Sequence, residues 1–330
     1  MTEFLDVSFD GIRRAADIIR YGGIVAFGTE TVYGLGGLST SRQAVSRIYA
    51  AKGRPSFNPL ISHFASAEQA FQEVDLTLTP LGEKARELAS HFWPGPLTLI
   101  LPKKENSLIC DSVSAALPTI AIRVPRGRAV NELLRLVNAP VAAPSANRSG
   151  RISPSSALHV KEELDGKIDA ILDTGSCIVG LESTVLDLTG ETPTLLRPGG
   201  LSQEELEAIC GPVRHAAPLS QDQKPLAPGQ LTSHYAPTLP IRLNTDKANF
   251  DEAWLSFGPE IEENHPLKWN LSPKGDLAEA AARLYAGLRY LDNEGQKKGV
   301  KAIAVSQIPQ EGLGCAIFDR LQRAAAPRPI

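Results

Sequence analysis

Two cations lie close together in the segment KGRPSFNPL (52–60), where one glycine separates Lys52 from Arg54. A guanidinium group makes paired hydrogen bonds to phosphate, an ammonium group acts as a movable point charge, and the two prolines of the segment stiffen the chain. The pattern fits a polyanion such as a triphosphate. A basic loop in solvent explains it equally well, and His63, which follows in an apolar setting, is more often a core residue than a ligand.

Two further arginines occupy positions that a sheet could bring together. In TIAIRV (119–124) the period of two places Thr119 and Arg123 on one face of a strand, about 13 Å apart at ~3.3 Å per residue. That spacing suits a ligand of the size of a nucleotide joined to a small acid. Arg197 ends another predicted strand, in LLRPGG (195–200). The alternatives are an arginine on the face of an edge strand and an ordinary turn.

Small hydroxyl-bearing residues lie next to three other predicted strands, in TETVYGL (29–35), APSANRSGRISP (143–154) and GLESTV (180–185). Ligands of α/β sheets bind at strand ends, and glycine, small hydroxyls and a helix start can present N–H groups to phosphate. The Walker A pattern GxxxxGK[ST] is absent, so any ATP must be held in another way. Polar surface loops remain the alternative for each segment.

The stretch Gly211–Pro240 contains six prolines and almost no apolar periodicity, which is typical of an extended linker. A passive spacer is the simplest interpretation. The neighbouring rings of His234 and Tyr235 are unexpected in a spacer, so the stretch is also a candidate lid over a site.

The elements that must position these residues follow an α/β pattern. Before the linker, a helix ends at Gly22-Gly23, a second covers 42–51 and a third begins near Ser155. Strands are predicted at 24–27, 97–101, 119–124, 141–143, 168–172, 183–188 and 194–197. After the linker we predict a helix over 277–291, a strand over 300–305 and a helix beginning near Cys315.

The composition of the 330 residues sets limits on the class of protein. The length predicts two domains, and 42% hydrophobic residues with no apolar run near ~18 residues predict a globular chain without membrane contact. The start lacks a secretion signal, so we expect a cytoplasmic protein. Residues 1–210 carry 20 basic and 24 acidic side chains, and residues 211–330 carry 14 and 13, which argues against bulk nucleic-acid binding. The four cysteines have no metal or redox spacing.

Taken together, the segments resemble the YrdC-like threonylcarbamoyl-AMP synthase family. Seven match in order: TETVYGL, KGRPSFNPL, FWPGPLTLIL, TIAIRVPRG, APSANRSGRISP, LESTVLDL and LLRPGG. Beyond them, PGQLTSHYAP (228–237), LSPKGDLAEAAARLYAGLRYLD (271–292) and GLGCAIFDRLQRAA (312–325) resemble the two-domain branch of the family. The resemblance implies a YrdC-like twisted sheet with helices on its faces (1–210), a proline-rich linker or lid (211–240) and a smaller Rossmann-like α/β domain (241–330).

The resemblance also implies an activity: L-threonine, bicarbonate and ATP are combined into threonylcarbamoyl-adenylate and pyrophosphate for modification of tRNA beside the anticodon. It implies a threonine site of Thr31, His63, Arg123, Ala143 and Ser183. It implies an ATP site of Arg54, Asn58, Thr119, Ser145, Ser153, Arg197 and Tyr235. Lys52, Arg54 and Arg197 would offset the charge of the reacting phosphates.

The chemistry of that activity also leads to expectations about metal ions, cofactors and partners. Mg²⁺ would be held by phosphate oxygens and water, because the sequence shows no dense carboxylate cluster, and no organic cofactor is expected. A threonylcarbamoyl transferase complex is a possible downstream partner, and contact with tRNA is expected to be weak or indirect.

Two other hypotheses stay open on the sequence. The first is a non-catalytic module that binds tRNA or double-stranded RNA, although such surfaces usually carry excess basic and aromatic residues, and aromatic residues are 6% here. The second is carbamoyl-adenylate chemistry on another acceptor, as in hydrogenase maturation, whose proteins also carry zinc-finger cysteine pairs that this sequence lacks.

Overall fold

The computed structural model of the chain describes residues 1–217, 224–230, 233–259 and 265–327. Parts of the predicted linker, residues 218–223 and 231–232, lie outside these ranges. The described residues form one large sheet and one small sheet, with helices packed against both. The mixed α/β class predicted from the sequence is confirmed.

The large sheet has eleven described strands. In chain order they are β1 (Glu3–Leu5), β2 (Val25–Gly28), β3 (Tyr33–Leu38), β4 (Ile61–His63), β5 (Leu97–Pro102), β6 (Thr119–Arg123), β7 (Val141–Ala142), β8 (Ala170–Leu172), β9 (Thr184–Asp187), β10 (Thr194–Arg197) and β11 (Arg214–His215). Their spatial order is β1-β8-β2-β3-β7-β4-β6-β5-β9-β10-β11.

Strand direction brings several predicted site residues to one edge of this sheet. β6 is parallel to β4, whereas β5 is antiparallel to β6, and β9 is parallel to β5 but antiparallel to β10. The C-terminal ends of β4, β6 and β10 therefore lie beside the N-terminal ends of β5 and β9. His63, Arg123 and Arg197 are the last residues of β4, β6 and β10, and Ser183 immediately precedes β9.

Helices cover both faces of the large sheet. They are α1 (Phe9–Arg20), α2 (Arg42–Lys52), α3 (Ala67–Phe71), α4 (Gly82–Phe92), α5 (Asp111–Ser114), α6 (Arg128–Val137), α7 (Ala157–Leu164) and α8 (Gln203–Cys210). Because side chains alternate along a strand, Val25 and Phe27 of β2 pack with α1 and α6, whereas Ala26 packs in the core that contains α2, α4 and α7. Apolar burial on both faces explains why this strand reads as a continuous hydrophobic run.

The small sheet is built from β12 (Ile241–Arg242), β13 (Glu252–Ser256), β14 (Lys268–Asn270) and β15 (Ala302–Val305), in the order β12-β15-β13-β14 with every neighbouring pair parallel. Helices α9 (Leu277–Lys298) and α10 (Leu313–Ala325) pack on it. Its apolar core continues through Leu181 and Tyr235, which belong to the loops of the large sheet and to the linker. The two sheets are therefore joined by a packed interface.

Most of the predicted element boundaries differ from the structure by one or two residues. Within the stretch predicted as the linker, Arg214 and His215 form β11 and pair in parallel with β10. The predicted helix 277–291 continues to Lys298, where Gly299 ends it in the left-handed conformation that glycine adopts without strain. Among the described helices, none combines the length and the apolar character that a membrane crossing requires.

Candidate active site

A small cavity of about 40 Å³ lies at the sheet edge defined above. Its walls combine residues of the large sheet and its loops with residues of the linker: Thr31, Val32, Arg54, Ile61, His63, Arg123, Ala143, Pro144, Ser145, Glu182, Ser183, Arg197, Pro228, Gly229, His234 and Tyr235. Ligand sites usually enclose ~300 Å³ or more. The volume is small because the linker residues close the cavity. Three larger clefts, of about 190, 380 and 780 Å³, contain none of the predicted site residues.

Arg54 and Arg197 bring two buried positive charges to the cavity. Arg54 donates to the carbonyl and side-chain oxygens of Asn58, at 3.2 and 2.6 Å, and Arg197 donates to the carbonyls of Ser183 and Pro228, at 2.7 and 3.1 Å. Burial lowers the pKa of Arg54 to about 10 and also lowers the pKa of Arg197. Within the described chain neither guanidinium forms an ion pair, so both charges remain for an anionic ligand.

Arg123 is the third buried arginine of the cavity and is held on three sides. Its Nε donates to the carbonyl of Gly95 at 3.1 Å, and its Nη2 lies 2.7 Å from Oε1 of Glu30 and donates to Oγ1 of Thr31 at 3.1 Å. Its Nη1 has no partner in the described part of the chain. The strand is central rather than an edge strand, and its register pairs Arg123 with His63.

Serine hydroxyls and carbonyls complete the wall. Ser183 shares a 2.7 Å hydrogen bond with Thr98 of β5 and accepts another from Arg197 at 3.2 Å. The backbone carbonyl of Ser145 accepts a hydrogen bond from the ammonium group of Lys52. These contacts fix the positions of Ser145 and Ser183, two of the three predicted binding serines.

Nine of the predicted site residues line the cavity: Thr31, Arg54, His63, Arg123, Ala143, Ser145, Ser183, Arg197 and Tyr235. The other four do not. Asn58 lies behind Arg54 and accepts its hydrogen bonds, and Ser153 donates to Glu182 at 2.5 Å. Lys52 is buried against backbone carbonyls of the 143–154 loop, and burial lowers its pKa well below the ordinary value. Thr119 lies at the opposite end of β6, paired with Pro102.

The linker passes between the two sheets and is bonded to both sides. The N–H group of Ala236 donates to Gly150 at 2.9 Å, and the N–H group of His234 donates to Arg323 of α10 at 3.2 Å. Tyr235 is fully buried, and its ring stacks on that of Tyr285 of α9 with centroids 5.8 Å apart. Its hydroxyl is buried without a hydrogen-bond partner in the described residues.

A buried carboxylate, which sequence reasoning missed, connects the cavity to the second domain. Glu182 accepts hydrogen bonds from Ser153, Tyr285 and Arg320, the last two at 2.8 Å. Burial alone would raise the pKa of Glu182, but the charges of Arg320 and Arg197 and the Ser153 hydroxyl outweigh it and hold this pKa at about 2. Glu182 lies within the segment LESTVLDL, but its partners follow 103 and 138 residues later, so no local signal indicated the cluster.

The cavity histidines are neutral and make stability depend on pH. Both His63 and His234 have a buried Nδ1 without a hydrogen-bond partner, and burial lowers the pKa of each to about 3. The unfolded chain, where a histidine pKa is about 6.5, binds protons that the folded chain does not. Their contribution to stability is therefore complete above pH 6.5 and is lost as the pH falls toward 3.

We expect the free energy of unfolding to fall by about 1.4 kcal/mol per pH unit for each of these histidines below pH 6.5. Urea unfolding at pH 7.5 and 5.0 measures the loss, which should shrink in the His63→Asn/His234→Asn variant. His91→Asn, a change at an exposed position, is the control. An unchanged pH dependence in the double variant would contradict the assignment.

Fold and cavity together define a two-domain α/β protein whose buried, arginine-lined cavity is closed by the segment between its domains. A family model for Sua5, YciO and YrdC proteins, described as "Telomere recombination", matches residues 17–199. A second model, "Threonylcarbamoyl-AMP synthase, C-terminal domain", matches residues 201–326.

Relatives match over nearly the whole chain. A Bacillus subtilis protein named threonylcarbamoyl-AMP synthase is 41% identical, covering 100% of this chain and 97% of the relative. A Pyrococcus abyssi protein of the same name is 40% identical, over 97% and 95%. The crystal structure of P. abyssi Sua5 complexed with L-threonine superposes with a TM-score of 0.88 at 38% identity and covers 98% of both chains. The chain belongs to the threonylcarbamoyl-AMP synthase family, which confirms the resemblance noted in its sequence.

Proposed function

We propose that the chain forms threonylcarbamoyl-adenylate and pyrophosphate from L-threonine, bicarbonate and ATP. The observation that carries the proposal is the convergence of three buried arginines, Arg54, Arg123 and Arg197, with serine and threonine hydroxyls in one closed cavity. Such a site can bind a polyanion and an amino acid side by side. It also excludes water, which would hydrolyse a mixed anhydride.

The reaction has two steps. The amine of threonine adds to bicarbonate, a C–N bond forms, and water leaves to give a carbamate. A carbamate oxygen then attacks the α-phosphorus of ATP, and the bond from that phosphorus to the β-phosphate oxygen breaks, which releases pyrophosphate. In this displacement the protein positions the reactants and offsets negative charge.

The amino-acid end of the cavity lies around Arg123. Its unpartnered Nη1 is available to the threonine carboxylate, and Thr31, Ser183 and the neutral ring of His63 offer groups to the amine and hydroxyl. The backbone of Ala143 completes this end, because its N–H group is already bound to Ile61 and fixes the wall.

The nucleotide end lies around Arg54 and Arg197, with Ser145 and Tyr235 beside them. Asn58 and Ser153 would act here through the groups they bind, Arg54 and Glu182. Lys52 is bound to backbone carbonyls of the 143–154 loop, and Thr119 lies at the opposite end of β6, so neither lines this end of the cavity. We therefore assign the direct charge role to Arg54 and Arg197.

The described residues supply no set of protein ligands for Mg²⁺. No three carboxylate, histidine or cysteine side chains come together in them, and Glu182, the carboxylate in the cavity wall, is committed to Arg320, Tyr285 and Ser153. A Mg²⁺ ion that accompanies ATP would therefore be held by phosphate oxygens and water. No step of the proposal depends on protein-bound metal.

The linker acts as a lid in this proposal, between a catalytic unit of residues 1–210 and a smaller unit of residues 241–330. Ala227 packs against Ile61 and Val185 on the sheet face, and Pro228 accepts a hydrogen bond from Arg197. A nucleotide cannot enter the 40 Å³ cavity until these contacts open. Closure after binding would protect the adenylate from water.

Tyr235 provides a test of the lid. Tyr235→Phe keeps the buried ring but removes a hydroxyl without a protein partner, so we expect the KM for ATP to rise about tenfold if that hydroxyl binds the nucleotide. Tyr235→Ala should raise it further and increase hydrolysis of the adenylate. Steady-state kinetics and the ratio of AMP to adenylate measure both effects, with Tyr290→Phe on the same helix as the stacked Tyr285 as control. Unchanged kinetics in both Tyr235 variants would make the linker a spacer.

The activity itself is tested by pyrophosphate release from ATP. We expect release that requires both L-threonine and bicarbonate, with threonylcarbamoyl-adenylate detected by mass spectrometry. Equal release with serine or with no amino acid would reject the threonine assignment. Because the adenylate is labile, we also propose that a threonylcarbamoyl transferase consumes it in the cytoplasm, with tRNA contacting this chain weakly or indirectly.

Assays on the same purified protein distinguish the proposed enzyme from the alternative, a non-catalytic RNA-binding module. It predicts RNA binding without pyrophosphate release. The cavity arginines Arg54, Arg123 and Arg197 are buried, whereas an RNA surface needs accessible cations and stacking rings.

A further inference from the structure

Glu30 is buried beside the cavity without lining it. It lies in the tight turn between β2 and β3, where the Thr29 hydroxyl accepts the N–H groups of Thr31 and Val32. Its Oε1 is 2.7 Å from Nη2 of Arg123, and its Oε2 accepts the N–H group of Arg126 at 3.0 Å. Side-chain exposure in the pair is 2% for Glu30 and 4% for Arg123, so solvent screens the interaction little.

This ion pair makes the two ends of the cavity electrically different. Arg123 is neutralised by Glu30, and the cavity carboxylate Glu182 is paired with Arg320. Arg54 and Arg197 form no ion pair in the ranges that the structure describes, and Glu182, whose carboxylate interacts with the charge of Arg197, is itself paired with Arg320. The nucleotide end therefore carries net positive charge, whereas the amino-acid end is balanced before any substrate arrives.

From this asymmetry we infer that Glu30 is a specificity-determining residue, which acts through Arg123 to keep phosphate groups out of the amino-acid end. The inference rests on the proposed function, since it concerns how that site separates two kinds of ligand. A zwitterionic amino acid adds no net charge to a balanced pair and can use the unpartnered Nη1 of Arg123. A pyrophosphate or triphosphate group at the same place would meet the buried carboxylate and be repelled.

The same geometry makes Glu30 a positioning residue rather than a catalytic one. Two hydrogen-bond acceptors, on Gly95 and Thr31, and the Glu30 carboxylate 2.7 Å from Nη2 orient the guanidinium group so that Nη1 remains for the substrate. A planar fork held in this way matches a carboxylate in one orientation.

Glu30→Gln tests the inference, because it keeps the size of the side chain and removes its charge. Inorganic pyrophosphate is titrated into the enzyme by calorimetry, with and without saturating L-threonine. The wild type should bind one pyrophosphate per chain, and saturating threonine should not change that binding. The variant should gain a second site that threonine displaces, and pyrophosphate should become at least tenfold more potent as an inhibitor competitive with threonine, while the KM for ATP changes less than threefold.

Glu252→Gln is the matched control, because Glu252 is also a buried carboxylate paired with an arginine, Arg242 at 2.5 Å, but lies in the small sheet. Its pyrophosphate stoichiometry should equal that of the wild type. If Glu30→Gln does not fold, Glu30→Asp keeps the charge and should keep the single site. A folded Glu30→Gln enzyme with one threonine-insensitive pyrophosphate site overturns the inference.

The binding titration requires no turnover. A wild type that binds pyrophosphate and threonine but releases no pyrophosphate from ATP would reject the proposed function. The titration would still measure whether Glu30 keeps phosphate groups out of the amino-acid end. If the wild type is active and the Glu30→Gln variant binds pyrophosphate as the wild type does, the inference is rejected and the proposed function is not.

Discussion

Arg320→Ala should lower the free energy of unfolding by about 3–5 kcal/mol, because it leaves the Glu182 carboxylate buried without its countercharge. Arg320 is fully buried in α10, donates to Glu182 at 2.8 Å and donates to the carbonyl of Pro198 at 2.8 Å. The same carboxylate holds Ser153 and Tyr285, and the Arg320 guanidinium lies 5.1 Å from the centroid of the Tyr235 ring. We therefore expect the KM for ATP to rise as well.

Denaturant unfolding at pH 7.5 measures the loss. Arg283→Ala is the control, since Arg283 forms a half-exposed pair with Glu279 one turn away on α9, a type worth about 0.3–0.5 kcal/mol. Replacing both partners, in Arg320→Met/Glu182→Gln, should recover part of the stability, because no uncompensated charge remains. An Arg320→Ala protein no less stable than Arg283→Ala would show that the cluster does not couple the domains.

Where a pattern is local, the sequence predicted the fold well. The alternation of Ile120 and Ile122 with Ala121 and Arg123 predicted the strand β6, and apolar runs predicted β5 and β10 to within one residue. The strand β3 was missed, because YGLGGL has few residues that favour strands. Its glycines are required by packing: a side chain at Gly36 would collide with the ring of Phe27 on the adjacent strand.

In the candidate site, too, the residues of local motifs were predicted and the long-range side-chain pairs were not. Hydroxyls and arginines that lie in short motifs were identified, and the structure brings most of them to one cavity. The ion pair of Glu30 with Arg123 and the bonds of Glu182 to Tyr285 and Arg320 were not identified, because the partners are about 90 to 140 residues apart in the chain. Side-chain partners at that separation depend on tertiary packing, for which a single sequence carries no periodic signal. Thr119 lies at the far end of β6 from Arg123, as the strand period predicted, but outside the cavity lining.

Arg123→Lys should raise the KM for L-threonine by roughly 10- to 100-fold, the equivalent of one charged hydrogen bond of about 1.5–3 kcal/mol. Lysine keeps a positive charge beside Glu30, so the fold should survive. An ammonium group, however, lacks the planar fork of arginine. In that fork Nε and Nη2 contact Gly95, Thr31 and Glu30, and Nη1 stays available to the substrate. The KM for ATP should change less than threefold, because Arg54 and Arg197 remain at the nucleotide end.

Arg242→Lys is the matched control, since it makes the same replacement in an arginine–glutamate pair of the small sheet, far along the chain from the cavity. Steady-state kinetics with each substrate varied in turn separate the two ends. A rise in the KM for ATP as large as the rise for threonine would mean that Arg123 serves both ligands. In that case the cavity would bind one extended ligand and would not have the two electrically distinct ends that the buried partners of its arginines define.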